Sequence, residues 1–123
     1  SVLSVYQDYL RQGQLAYQYS QRAGRAVFFP REVCPFTGST MLEWRVSAGQ
    51  GTIYSTSMVH RRGEEPYNVA LIDMDEGFRL MARVMSHDAG QVKIKIGARV
   101  RFEQADEHEG TPFPVFAVEA NKD

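Results

Sequence analysis

The chain has 123 residues, of which 43% are hydrophobic and 24% are charged, which is the composition of an ordinary folded domain. Lys and Arg number 14 against 15 Asp and Glu, and this net charge of -1 weighs against a protein that coats nucleic acid. The single cysteine, Cys34, excludes an intramolecular disulfide and a zinc site built from cysteines alone. No apolar run reaches the length of about 18 residues that a membrane span needs, and no signal peptide is visible, so we expect no membrane association and a cytoplasmic location.

The N-terminal segment, residues 1–13, is predicted to form a short amphipathic helix. Its apolar side chains recur at helical spacing, at Val2, Val5, Tyr6, Tyr9 and Leu10. Ser4 followed by Gln7 fits a capping box, and Gly13 fits the end of the helix. Because a helix this short is marginal in isolation, its apolar and aromatic face is expected to pack on its own domain or on a partner.

The next segment, residues 14–47, is predicted to be a small, loop-rich ribbon with little apolar bulk. Short strands are predicted at 14–20, 26–29 and 42–47. Between the last two strands, Pro30 and the run of small and turn-forming residues at 34–39 (CPFTGS) predict a tight knuckle.

Residues 48–120 have the pattern of an all-β domain. Five strands rich in β-branched and aromatic residues are predicted, at 52–60, 67–74, 78–86, 99–103 and 114–120. Turns are predicted at 61–66 and 75–77, a short helix within 87–96, and an acidic loop at 106–110. A long first strand and a connector between the third and fourth strands are typical of a five-stranded Greek-key barrel of the OB type. The predicted fold class is therefore mainly β, with a helix and a ribbon before an OB-fold barrel.

Short motifs follow one another in a characteristic order from about Tyr9 to Ala117. In the ribbon they are FFPR at 28–31, CP at 34–35, GS at 38–39 and LEW at 42–44. In the barrel they are GQGTIYS at 49–55, VHR at 59–61, PY at 66–67, VALI at 69–72, DEG at 75–77 and PFPVF at 112–116. In this order and spacing, the sequence resembles the family of domain of unknown function 35. The resemblance implies an N-terminal helix and a rubredoxin-like zinc ribbon, followed by a C-terminal OB-fold.

The ribbon departs from that family in its metal ligands. Family members usually carry two CxxC pairs, and the corresponding positions here hold Ser20, Ala23, Cys34 and Thr37. A structural zinc site needs about four soft or borderline donors, so we expect no zinc and no other resident cofactor. We expect packing to hold this degenerate ribbon, with Cys34 as a small buried side chain rather than a reactive thiol. The aromatic residues available to fill its centre are Tyr19, Phe28, Phe29 and Phe36.

The resemblance also implies a function in which the chain is not itself an enzyme. Family members are similar to acyl-CoA-binding accessory subunits of thiolase-like enzymes or hot-dog-fold enoyl-CoA hydratases, so such a partner and a coenzyme A thioester ligand are expected. The phosphates of coenzyme A favour arginine, and its pantetheine arm favours an apolar groove. The residues predicted to bind the ligand are His60, Arg61, Arg62, Arg79 and Arg83.

Other interpretations remain open from the sequence. Arg79 and Arg83 alternate with apolar residues and are predicted to share one face of a strand, where ordinary solvent-facing side chains are the alternative. A second function is an OB-fold that binds single-stranded nucleic acid, with Tyr54, Tyr67 and Phe78 as stacking residues, although the net charge weighs against it. No catalytic residue is predicted, because no histidine has a recognisable acid–base partner in the sequence. Self-association of the chain is a further alternative.

Overall fold

The structure is a computed structural model that describes residues 1–86 and 94–119. Within these residues one helix precedes eight strands, and the predicted fold class is confirmed. The elements are α1 (Val2–Arg11), β1 (Ala16–Ser20), β2 (Arg25–Val27), β3 (Leu42–Val46), β4 (Gln50–Val59), β5 (Tyr67–Met74), β6 (Arg79–Met85), β7 (Arg99–His108) and β8 (Thr111–Val118).

Helix α1 has its N-cap three residues before the predicted one. Its N-cap is Ser1, whose Oγ accepts a hydrogen bond from the Ser4 backbone N–H at 3.2 Å. The Ser1 amino group donates to Ser4 Oγ at 3.1 Å, which completes a capping box. The predicted Ser4–Gln7 box is therefore wrong, because Ser4 already serves as the N3 residue of the box that Ser1 opens.

Three short strands form the ribbon sheet in the order β2-β1-β3. The central strand β1 pairs antiparallel with both neighbours, Ser20 opposite Arg25 on one side and Ala16 opposite Val46 on the other. Four of the five residues of β1 are buried, because it has a neighbouring strand on each edge and the barrel against one face.

The other five strands close into a barrel in the order β4-β5-β6-β8-β7. The strands β6 and β8 are parallel, with Arg83 opposite Val115, and the remaining pairs are antiparallel, as in an OB-fold. The strand β4 pairs with both β5 and β7, and a register shift between Ile53 and Ser55 marks its bend. At Gly51 an added Cβ would lie 2.7 Å from the backbone oxygen of Asp73. The strand β4 therefore approaches β5 at a point where only glycine fits.

Aromatic side chains join the helix, the ribbon and the barrel into one core. The ring of Phe28, which follows β2, lies 5.5 Å from Tyr6 of α1 and 5.1 Å from Phe78 of the barrel. Phe78 also stacks on Tyr17 of β1 at 4.8 Å. Leu10 of α1 is 1% exposed and belongs to the same apolar cluster. This core fixes the ribbon against the turn between β5 and β6.

The C-terminal hairpin differs from its prediction. The expected acidic loop at 106–110 is mostly strand, because β7 continues to His108 and pairs with β8 as far as Thr111. The turn is confined to Glu109 and Gly110, whose φ angles of 52° and 81° are those of a tight two-residue hairpin turn. Most of the helix predicted within 87–96 lies outside the described residues. No helix among the residues described is long and apolar enough to cross a membrane.

Candidate functional site

Two concave surfaces flank the outer side of β6. The first, here called the ribbon–barrel cleft, has a volume of about 570 Å³ and lies between the ribbon, from β2 to Phe36, and the β5–β6 turn. The second, here called the outer-face pocket, has a volume of about 380 Å³ and lies on the outer surface of β5, β6 and β8. Both volumes are within the range of about 300–1,000 Å³ that is common for small-molecule sites.

The outer-face pocket is mainly apolar and carries one distinctive arginine. Its walls are formed mainly by Tyr67, Val69, Met81, Phe113 and Pro114. The guanidinium of Arg83 lies 3.7 Å from the ring centroid of Tyr67 and 4.8 Å from that of Phe113. Among the described residues no carboxylate forms an ion pair with Arg83, so the N–H groups of its guanidinium are not committed to an internal anion. The arrangement suits an apolar ligand that carries a negative charge.

The other arginine of β6, Arg79, lies in the ribbon–barrel cleft. Its Nε donates to Asp73 Oδ1 at 2.6 Å and its Nη2 to Oδ2 at 3.3 Å, so the pair is bidentate. This hydrogen bonding raises the pKa of Arg79, and the guanidinium also lies 3.6 Å from the ring centroid of Tyr54. Arg79 and Arg83 do share the outer face of β6, with Met81 between them, but they line different concavities.

The remaining predicted site residues, His60, Arg61 and Arg62, lie on the loop 60–66, and only one of them lines a pocket. Arg61 lines the outer-face pocket, together with Glu64 from the same loop. His60 and Arg62 are exposed and line neither of the two concavities. The structure therefore brings Arg61 and Arg83 together, and it separates them from His60, Arg62 and Arg79. His108, which is not among the predicted site residues, lines the same pocket from the end of β7.

Two arginines of the ribbon–barrel cleft, Arg25 and Arg31, were missed by the sequence analysis. The guanidinium of Arg25 lies 3.8 Å from the ring centroid of Phe36. The backbone of Arg31 is held on both sides by the amide of Gln18, which is 3% exposed. Gln18 Nε2 donates to the Arg31 carbonyl at 2.8 Å, and the Arg31 N–H donates to Gln18 Oε1 at 2.7 Å. The only signal in the sequence was the arginine content of the ribbon, because nothing local predicts that these residues meet the β5–β6 turn.

The positions expected to hold zinc in the family form a hydrogen-bonded group instead. The Ala23 N–H donates to Ser20 Oγ at 3.1 Å, and Ser20 and Cys34 are almost completely buried. Burial raises the pKa of the Cys34 thiol, but hydrogen bonds with the side chains of Ser20 and Thr37 and with the backbone of Phe36 and Thr37 outweigh burial and lower the pKa to about 7. One thiol, two hydroxyls and a methyl group do not fit a tetrahedral zinc ion. In the part of the chain that is described, no group of three or more His, Cys, Asp or Glu side chains could hold a metal ion.

The aromatic residues expected to fill the centre of the ribbon do not do so as a group. Phe29 and Phe36 are 50% and 52% exposed, so they do not pack inside it. Tyr19 lies beneath the guanidinium of Arg45, at 3.7 Å from its ring centroid. Tyr19 and Phe28 are partly buried against the common core, and Phe28 packs there between α1 and the barrel. At the centre of the ribbon the structure therefore has hydrogen bonds among Ser20, Cys34 and Thr37, where we expected aromatic packing.

Comparison with known proteins agrees with this architecture. Residues 44–103 match the model of the C-terminal OB-fold domain of ChsH2. A solved structure described as Ltp2-ChsH2(DUF35) aldolase is similar over 94% of this chain and 92% of that chain, at 27% identity and a TM-score of 0.76. A DUF35-family protein of unknown function from Sulfolobus solfataricus has the same fold, with 15% identity, 94% and 84% coverage and a TM-score of 0.66. No curated protein sequence matches the chain.

Proposed function

Because this chain is a DUF35-type protein, we propose that it is a non-catalytic, ChsH2-type accessory subunit that assists a partner enzyme acting on an acyl-CoA thioester. The partner is a thiolase-like enzyme or a hot-dog-fold hydratase. The observation that carries the proposal is the likeness to the Ltp2-ChsH2(DUF35) aldolase over 94% of the chain. In that structure ChsH2 is named together with a second protein, Ltp2.

The surroundings of the histidines support an accessory role rather than catalysis. His60 and His108 are both exposed. Within the described residues, neither side chain takes part in a hydrogen bond, whereas a general base needs a partner that positions it.

The outer-face pocket supports binding of an acyl-CoA. OB barrels commonly bind ligands on their second and third strands and on the loops that follow the first and fourth. In this chain those elements are β5, β6, the loop 60–66 and the β7–β8 turn, and the outer-face pocket lies where they meet. Its apolar walls suit a pantetheine or acyl chain, and Arg61 and Arg83 suit a phosphate or carboxylate group at its end.

The surroundings of the three aromatic residues that were predicted to stack on bases weigh against the nucleic-acid alternative. Phe78 is 6% exposed and stacked between Tyr17 and Phe28, so no base can stack on it. Arg79 covers one face of Tyr54 and Arg83 covers one face of Tyr67, so each ring offers at most one face to a base.

Recovery of the partner tests the proposal. The full chain, tagged and expressed in its native host, should purify with a second protein whose sequence is that of a thiolase or a hydratase. The purified pair should turn over an acyl-CoA faster than the partner alone. Purification with nucleic acid and no such enzyme, or a partner whose turnover is independent of this chain, would overturn the proposal.

Variants of the pocket test the ligand within that complex. Arg83→Ala should weaken acyl-CoA binding by about tenfold or more, because a hydrogen bond to a charged group contributes about 1.5–3 kcal/mol. Arg101→Ala is the matched control, since Arg101 is exposed on β7 and lines neither concavity. Calorimetric titration of the complex with an acyl-CoA measures the affinity of each variant. Equal affinities in the two variants would show that Arg83 does not bind the ligand.

A further inference from the structure

The ribbon–barrel cleft has a charge that its own residues do not neutralise. Its charged lining residues are Arg25, Arg31, Arg79 and Asp73, which leaves an excess of two positive charges. Asp73 forms an ion pair with Arg79, in which Asp73 Oδ1 lies 2.6 Å from Arg79 Nε. In residues 1–86 and 94–119 no carboxylate forms an ion pair with Arg25 or Arg31. A phosphate monoester carries a charge of about -1.5 to -2 at neutral pH, which matches this excess.

Both uncommitted arginines are anchored before any ligand arrives. Arg25 is paired opposite Ser20 in the ribbon sheet, and its guanidinium rests on the ring of Phe36. Arg31 is fixed at its backbone by the two hydrogen bonds of the buried Gln18 amide. The stacking of Arg25 and the fixed backbone of Arg31 lower the conformational entropy that binding would otherwise lose.

The rest of the cleft is larger and less polar than a phosphate ion requires. Its volume is about 570 Å³, and its other walls include the partly or largely exposed apolar side chains of Phe28, Pro35 and Phe36. Inorganic phosphate would leave most of this space empty and would leave the apolar walls in contact with water. The geometry therefore points to an organic phosphate: we propose that the ribbon–barrel cleft binds a phosphate monoester through Arg25 and Arg31, with the organic part of the ligand against the apolar walls.

Nucleotides and coenzyme A both contain such a group, and titrations of the full chain distinguish them. AMP, coenzyme A, dephospho-coenzyme A and inorganic phosphate are the probes, because dephospho-coenzyme A lacks the terminal monoester of coenzyme A. AMP and coenzyme A should bind at least tenfold more tightly than inorganic phosphate, and coenzyme A more tightly than dephospho-coenzyme A. Stronger binding of coenzyme A than of AMP identifies coenzyme A as the source of the phosphate, whereas equal binding identifies any nucleotide monoester. Both results support the site.

Variants place the phosphate in this cleft rather than elsewhere. Arg25→Ala and Arg31→Ala should each weaken the binding of AMP at least tenfold, and Arg31→Lys should recover part of the loss because it restores the charge. Arg101→Ala should bind as the wild-type chain does, and circular dichroism should show that all four variants are folded. Unchanged affinity in Arg25→Ala and Arg31→Ala, or no binding of AMP and coenzyme A to the wild-type chain, would overturn this inference. Neither result bears on recovery of the partner enzyme, which tests the accessory function separately.

Discussion

Cys34 lies in a setting that changes the chemistry of its thiol. The side chain is 1% exposed, as we expected for a buried cysteine. It differs from an ordinary apolar cysteine because hydroxyl groups from Ser20 and Thr37 and the backbone of the following turn all hydrogen-bond with the sulfur. Hydrogen bonds of this kind stabilise the thiolate more than the thiol. The charge of this buried thiol therefore depends on pH near neutrality.

The ionisation of Cys34 makes stability depend on pH. Its pKa is about 7 in the folded chain and 9.0 in an ordinary peptide. A pKa that is lower in the folded state than in the unfolded state stabilises the folded protein. This stabilisation is complete at pH values above the unfolded-state pKa, and it is lost as pH falls from about 9 to about 7. We expect the difference in Tm between the wild-type chain and Cys34→Ala to grow as the pH rises from about 6 to about 9.5, measured by circular dichroism under reducing conditions.

The donor residues provide the control for this prediction. Ser20→Ala removes one hydrogen bond to the sulfur, so it should reduce the growth of the Tm difference with pH. Ser57→Ala, a substitution of the same kind at an exposed position on β4, should leave it unchanged. A Tm difference that stays constant across the whole pH range would mean that Cys34 remains a neutral thiol.

At the scale of the elements, α1 is held by the apolar side chains on one of its faces. Tyr6 and Leu10 are buried, whereas Leu3 and Val5 are about two-fifths exposed, at 40% and 38%. A ten-residue helix is marginal in water, so its stability comes from this docking rather than from the helix itself. The exposed residues of α1 are free to contact a partner without disturbing the docked face.

Two leucines of α1 form a matched pair for testing this docking. Leu10→Ala should lower the free energy of unfolding by about 2–5 kcal/mol, because it removes a fully buried side chain and leaves a cavity. Leu3→Ala makes the same chemical change on the exposed side and should cost less than about 0.5 kcal/mol. Urea denaturation followed by circular dichroism measures both, and similar losses in the two variants would show that the packing of α1 does not depend on Leu10.

The elements also show which parts of the fold the sequence could predict. The strand predicted at 67–74 has those bounds in the structure, because alternation of buried and less buried residues is a local property of the chain. The acidic segment 106–108 was wrongly assigned to a loop, since charged residues also suit a strand whose side chains face water. Local alternation also explains which residues of the two candidate concave surfaces could be predicted. Arg83 could be found from the alternation in its strand, whereas Arg25 and Arg31 meet the barrel only through tertiary packing.

Considered as a whole, the molecule keeps its ribbon in place by contacts that cross element boundaries. The rings of Tyr6, Phe28, Phe78 and Tyr17 form a continuous series from the helix through the ribbon to the barrel and back to the ribbon. Aromatic pairs of this kind contribute about 0.5–1.5 kcal/mol beyond their burial. Because the barrel and the helix bury this side of the ribbon, we expect the three-stranded sheet to stay folded without a metal ion.

Metal dependence is a property of the whole molecule, and we expect none, in contrast to the zinc ribbon that the family resemblance implies. The wild-type chain should contain far less than about one zinc per molecule by elemental analysis, and a chelator should leave its Tm unchanged. The backbone of both turns is nevertheless in place, since the Gly24 N–H donates to the Ser20 carbonyl at 2.7 Å and the Gly38 N–H to the Cys34 carbonyl at 2.8 Å. The triple variant Ser20→Cys, Ala23→Cys and Thr37→Cys should therefore bind about one zinc per chain and lose stability when a chelator removes it. Stoichiometric zinc in the wild-type chain, with a Tm that falls on chelation, would contradict the metal-free ribbon.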